Sequence, residues 1–140
     1  MRFLGKNHYL NKHLFWVITR ALNLPDASQS HISLWKKLKT SVSVWIVNGQ
    51  VVRSVFDKSF FKGGNDYEYE FIPLKEVWID EAVEENERLF ILLHELHERN
   101  LMAKGWSRDK AHNEACLIED QCRHFPKDLC GALTKENWEI

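Results

Sequence analysis

The stretch "ERLFILLHELHERNLMAKG", residues 87–105, constrains the fold more than any other part of the chain. Five apolar residues in a row, Leu89 to Leu93, run into His94, Glu95, Leu96, His97 and Glu98. At about 100° per residue, Leu89, Leu92, Leu93, Leu96 and Ala103 share one side of a helix, and Phe90, Ile91, Leu101 and Met102 the other. A helix that is apolar on both sides is buried. His94 and Glu98 fall inside the second apolar sector, about 40° apart and one turn from each other. Buried polar groups need partners, so this pair must meet others across a packing interface. The pattern predicts a helix opened by Asp80 as cap, with Glu81, Glu84 and Glu85 suiting its positive end, and closed near Lys104 by Gly105.

A second helix is predicted over about 108–124, capped by Ser107, with Pro126 just beyond its end. Ala111, Ala115, Ile118, Cys122 and Phe125 form its apolar stripe. His112 and Glu119 lie together at the edge of that stripe, about 20° apart and two turns from each other. A short glycine-containing turn joins the two helices, so they are expected to pack antiparallel. His94 and Glu98 then face His112 and Glu119. Two imidazoles and two carboxylates between helices form the donor set of a divalent first-row metal, zinc above all. A cation also offsets the charge of buried carboxylates. The expected ligands are His94, Glu98 and His112, with Glu119 as a fourth ligand or as a partner behind one. Glu95, pointing beyond Glu98, is the candidate general base for a metal-activated water.

The His94-Glu95 pair on an apolar-flanked helix resembles the zincin signature His-Glu-x-x-His, in which the Glu is the base. The chain departs from it: Glu98 stands where the second His belongs, and the extra imidazole, His97, comes one place early. Over roughly residues 85–120 the chain therefore resembles a divergent zincin-like metallopeptidase. Residues 71–119 also resemble uncharacterised proteins of phages and bacteria that share a "FIP…WID" segment, a His-Glu-Leu-x-Glu helix and an Ala-His…Ala…Glu helix. That resemblance implies the same set, His94, Glu95, Glu98, His112 and Glu119, and implies no established reaction.

Before this helical half the hydrophobic period changes. Residues 8–24 have Leu10, Leu14, Val17, Ile18 and Leu22 at helical spacing, and residues 31–39 are read as a short second helix. "SVSVWIVNGQVVRSVF", residues 41–56, is β-branched and aromatic on both sides of Asn48-Gly49, which predicts a hairpin. "FFKGGND" reads as a loop, "YEYEF" (67–71) as an alternating strand, and "EVWID" (76–80) as another. The expected fold is α+β: a small antiparallel sheet with a hairpin turning at Asn48-Gly49, packed on two long antiparallel C-terminal helices, with a helical N-terminal region. The 140 residues are expected to form one domain. Within it, 1–40 is the helical region, 41–80 the strands, 81–125 the helical hairpin with the metal site, and 126–140 a C-terminal turn.

Formal net charge is −1, from 19 Lys+Arg and 20 Asp+Glu, so no general field attracts nucleic acid or an anionic membrane. Lys36, Lys37 and Lys39 form a local basic patch. No segment reaches the ~18–20 apolar residues that span a bilayer. Cys116, Cys122 and Cys130 are odd in number and close together, as in a reduced cytoplasmic protein. The loose Cys122-His124-Cys130 spacing does not make a zinc knuckle. The expected function is a metal-dependent hydrolase acting on a peptide or protein. A first alternative is a phage-type accessory or inhibitor protein that acts by protein binding, using the N-terminal region and Trp35, Trp106 and Trp138. In that case the His/Glu cluster is structural. A second is a nucleic-acid-binding module using the lysine patch and stacking on Tyr67, Tyr69 and Phe71. Oligomeric state is left open.

Overall fold

The computed structural model describes residues 8–139. Their order is α1 (His8–Ala21), β1 (His31–Lys37), β2 (Ser43–Val47), α2 (Gly49–Val55), β3 (Gly63–Asn65), β4 (Glu76–Asp80), α3 (Glu85–Ala103), α4 (Arg108–His124) and α5 (Leu129–Lys135). The class is α+β. The strands form one mixed sheet in the order β1-β2-β4-β3. β2 and β4 pair in parallel, Val44 beside Val77 and Ile46 beside Ile79, while β1 and β3 add antiparallel edges.

Alternation along the two central strands builds two cores. Val44, Ile46, Val77 and Ile79 face α3, where Leu92, Leu93 and Leu96 cover them, with Cys122 of α4 and Leu133 of α5 behind. Val47 and Trp78 face the other way, onto Val52, Phe60, Tyr69, Phe71 and Ile72. Leu92, Leu93 and Leu96 are fully buried, each contributing roughly 1.5–3 kcal/mol. A sheet covered on both faces needs near-continuous apolar central strands, which "SVWIV" and "EVWID" supply.

The predicted hairpin does not form. Asn48 has φ −84°, outside the left-handed region, and its side chain accepts hydrogen bonds from the Gln50 and Val51 amides. It is the N-cap of α2, and "GQVVRSV" is helical. β2 therefore turns away and finds β4 through a crossover, as a parallel pair requires. Gly49 is needed for space: a Cβ there would lie 1.9 Å from Asp80 Oδ2. Asp80 consequently does not cap α3. It accepts from the Gly49 and Ala82 amides and pairs with Arg53, and Glu84 occupies the cap position of α3.

Three further expectations are corrected. Residues 31–37 are strand β1 and not a helix, because β2 offers an open edge to pair with. Residues 63–65, expected in a loop, form β3 on the far edge of β4. "YEYEF" is a turn and not a strand. Asn65 Oδ1 accepts from the Tyr67 and Glu68 amides and folds the segment back, so that Tyr69 and Phe71 enter the core. The other boundaries behave as local chemistry dictates: Gly105 ends α3 at φ +100°, and Ser107 caps α4.

α1 docks in an unusual way. Its inner face is His8, Lys12 and Thr19, buried, with Phe15 and Trp16 against the second core. Lys12 Nζ donates to the carbonyls of Asp66 (2.8 Å), Tyr69 (2.9 Å) and Ile72. A lysine is thus the bolt between α1 and the 66–72 turn. Replacing Lys12 by Met leaves those carbonyls without a donor and should lower unfolding stability by about 2–3 kcal/mol in a urea titration. Gly49→Ala should cost about 1–3 kcal/mol by pushing Asp80 off Arg53; an unchanged midpoint would contradict the packing described.

Candidate metal centre

α3 and α4 are joined by the turn 104–107 and pair along their lengths. Arg123 of α4 meets Glu87 of α3, Glu119 meets His94, and His112 meets Glu98. Sequence numbers rise along one helix as they fall along the other, so the two run in opposite directions. His94 Nδ1 donates to Glu119 Oε1 at 2.9 Å, and His112 Nδ1 donates to Glu98 Oε2 at 2.9 Å. Each imidazole therefore has one nitrogen held by a carboxylate. The other, Nε2, faces a second side chain, Glu98 for His94 and Cys116 for His112.

The two rings meet edge to face with centroids 5.1 Å apart. His94 Nε2 lies 3.5 Å from Glu98 Oε2, and His112 Nε2 lies 3.5 Å from Cys116 Sγ. Two ligands of one tetrahedral zinc, at about 2.0–2.3 Å from the ion, stand roughly 3.3–3.6 Å apart. One donor atom from each of His94, His112 and Cys116 falls within 4.8 Å of the others. Cys116 had no place in the predicted set. The signal was present, because His112 and Cys116 are spaced i,i+4 on α4 as His94 and Glu98 are on α3.

Glu95 sits on a different side of the cluster. It is buried, and Asn65 of β3 donates one side-chain hydrogen to Glu95 Oε1 and the other to Glu98 Oε1, both at 3.1 Å. Glu68, Glu95 and Glu98 form a second group of converging carboxylates. Asn65 and Glu68 reach the site from some 30 residues away, and no local pattern announces them. His97 points elsewhere, to Glu136 at 3.1 Å. Glu119 also accepts from Arg123 Nε at 2.9 Å.

The electrostatics follow from this geometry. Burial opposes a charge on His94, but the hydrogen bonds to Glu119 and Glu98 outweigh it and push its pKa up to about 11. Burial raises Glu98 and Glu119 as well; the imidazole partners, and Arg123 for Glu119, win and hold both below the usual carboxylate range. Glu95 goes the other way. Burial first, then the charges of Glu68 and Glu98, raise it well above its ordinary value. The cluster thus sets two carboxylates held low, Glu98 and Glu119, beside one held high, Glu95.

The site opens onto a cleft of about 390 Å³ lined by Ser59, Phe61, Glu68, Tyr69, Glu95 and Arg108, among others. The other predicted features do not assemble there. Cys122 is a core residue, Cys116 is partly buried and Cys130 exposed, all three unbridged. Tyr69 and Phe71 are buried and Tyr67 stacks on His8, so they form no platform for bases. Lys36 and Lys37 lie on β1, and Lys39 pairs with Glu139. Trp138 is buried against Trp35, leaving Trp106 the exposed member of that trio. No helix among the described residues is long and apolar enough to cross a membrane. Comparison of the chain with family models, curated proteins and solved structures found no match.

A histidine whose pKa rises on folding stabilises the native state fully below its unfolded value, about 6.5, and loses that contribution as the pH climbs toward about 11. Lys12 works in the opposite direction: burial lowers its pKa to about 7, so its penalty is relieved as the pH rises toward 10.5. The comparison that isolates His94 is therefore between chains. In chelator, the stability advantage of the wild type over His94→Gln should shrink steadily from about pH 7 to pH 10 in thermal melts. A constant difference would contradict the His94 environment described.

Proposed function

We propose that the chain is a metal-dependent hydrolase of zincin-like chemistry, with a peptide bond as the preferred target. The observation that carries this reading is the fixing of two facing imidazoles by carboxylates. With Nδ1 of His94 held by Glu119 and Nδ1 of His112 held by Glu98, each Nε2 has a set direction, toward Glu98 for His94 and toward Cys116 for His112, and donor atoms of His94, His112 and Cys116 lie within 4.8 Å of one another. Cys116 Sγ completes a three-donor set, which leaves a zinc ion one position for substrate or water. In this reading Glu98 and Glu119 orient the rings, and Glu98 is close enough to His94 Nε2 to join the ligands.

When bound, a divalent ion supplies Lewis acidity and makes a nearby water more acidic. The chain's own groups supply the rest. Glu95 lines the same cleft, held by Asn65, and is the general base. Burial and the neighbouring acids raise its pKa; a divalent charge beside it would favour the carboxylate, the form that accepts a proton. Arg108 and the exposed Phe61 also line this cleft and give it cationic and aromatic surface for a peptide.

Protein purified without an affinity tag should hold close to one equivalent of zinc by elemental analysis, and His94→Ala or His112→Ala should lose it. The cobalt-loaded chain should show sulfur-to-metal charge-transfer absorption that Cys116→Ser abolishes. Glu95→Gln should retain metal and reduce hydrolysis by at least about 100-fold. If metal content stays below about 0.2 per chain and added zinc leaves the melting temperature unchanged, the cluster is a structural network. The binding-protein reading would then take its place.

A further inference from the structure

The whole chain is nearly neutral, but its charge is not evenly distributed. The first 25 residues carry Arg2, Lys6, Lys12 and Arg20 and no Asp or Glu. Within that segment α1 turns its polar side inward. His8, Lys12 and Thr19 are buried, while Leu10 (57% exposed), Leu14 (47%), Val17 (47%) and Ile18 (54%) face outward. Tyr9 and Leu22 are exposed as well. On a helical wheel Leu10, Leu14, Val17 and Ala21 lie within about 60° of one another, and His13 and Arg20 lie on one side, about 70° and about 90° from the stripe's centre. Lys12 prevents the helix from rolling this stripe inward, because its ammonium is fastened to the carbonyls of the 66–72 turn.

An outward apolar stripe at helical spacing, edged by basic and never acidic side chains, has the design of a helix that lies in a lipid interface. We propose that α1 docks the protein on an anionic lipid surface, with Leu10, Leu14, Val17 and Ile18 entering the acyl boundary and Arg20 at the headgroups. Charge decides between this occupant and a second copy of the chain. A symmetric pair of α1 helices sets each exposed Arg20 against a helix that carries no Asp or Glu, whereas anionic headgroups neutralise it. This docking is independent of the metal reading, since none of its residues belongs to that cluster.

The test is co-sedimentation of the full-length chain with phosphatidylcholine vesicles, with and without phosphatidylglycerol, at low and high salt. Binding is expected only with the anionic lipid and should weaken as salt rises. The double variant Leu14→Ser/Ile18→Ser, which alters exposed positions and should melt like the wild type, should bind roughly tenfold or more weakly. Undiminished binding by the variant overturns the proposal, and so does equal binding to neutral vesicles. Absence of lipid binding overturns it too, whether the chain then sediments as a monomer or as a dimer that the double variant dissociates.

Discussion

A buried polar seam along α3 organises this molecule. Glu95, Glu98 and Arg99 are nearly inaccessible on a helix whose other positions pack against the sheet. Charges at such depth persist only when each is hydrogen-bonded and paired. The partners come from a two-residue corner. Asn65 donates both side-chain hydrogens to Glu95 and Glu98 while its oxygen accepts from the Tyr67 and Glu68 amides. Asp66, next in sequence, receives Arg99 Nε at 2.7 Å together with His8 Nε2 and the Lys75 amide. Burial raises the Asp66 carboxyl, but the His8 hydrogen bond and then the Arg99 guanidinium outweigh it and hold it below its usual range.

From that corner the rest of the architecture follows. β3 must lie on the edge of β4 to bring Asn65 over α3, so the glycines at 63 and 64 run close beneath Trp78 and Tyr69. The turn that follows exposes a set of carbonyls that Lys12 gathers, and this seats α1. The N-terminal helix is thus held by the same polar system that fixes Glu95, Glu98 and Arg99 on α3, and not by its apolar stripe. Two surfaces result from one constraint: an inward cluster with an excess of carboxylate, and an outward face with an excess of hydrocarbon.

The chemistry proposed for the cluster depends on orientation more than on composition. Many helix pairs carry histidines and glutamates at their interface. Here each ring has its Nδ1 held by an acid from the opposite helix, Glu119 for His94 and Glu98 for His112, which fixes where each Nε2 points, toward Glu98 for His94 and toward Cys116 for His112. The i,i+4 repeat on both helices sets that directionality, with Glu98 one turn after His94 and Cys116 one turn after His112. Asn65 restrains Glu98 from the sheet side and leaves one of its oxygens for the imidazoles.

By itself the sequence determined the helices α3 and α4, their caps at Ser107 and Gly105, the strand at 76–80, and the facing of His94 and Glu98 toward His112 and Glu119. Helical period, capping chemistry and one short turn are local, and local signals survive in a linear chain. Only the tertiary structure decided the fate of Asn48-Gly49, of residues 31–37 and of "YEYEF". In each case the competing states were close in local energy, and a distant strand edge, the buried Asp80 or the Asn65 hydrogen bonds tipped the choice. The same holds for Asn65 and Glu68 in the cluster and for the outward turn of the α1 stripe. A hydrophobic period tells which residues share a face, but the direction of that face is set by what lies opposite, and here a lysine and four carbonyls set it.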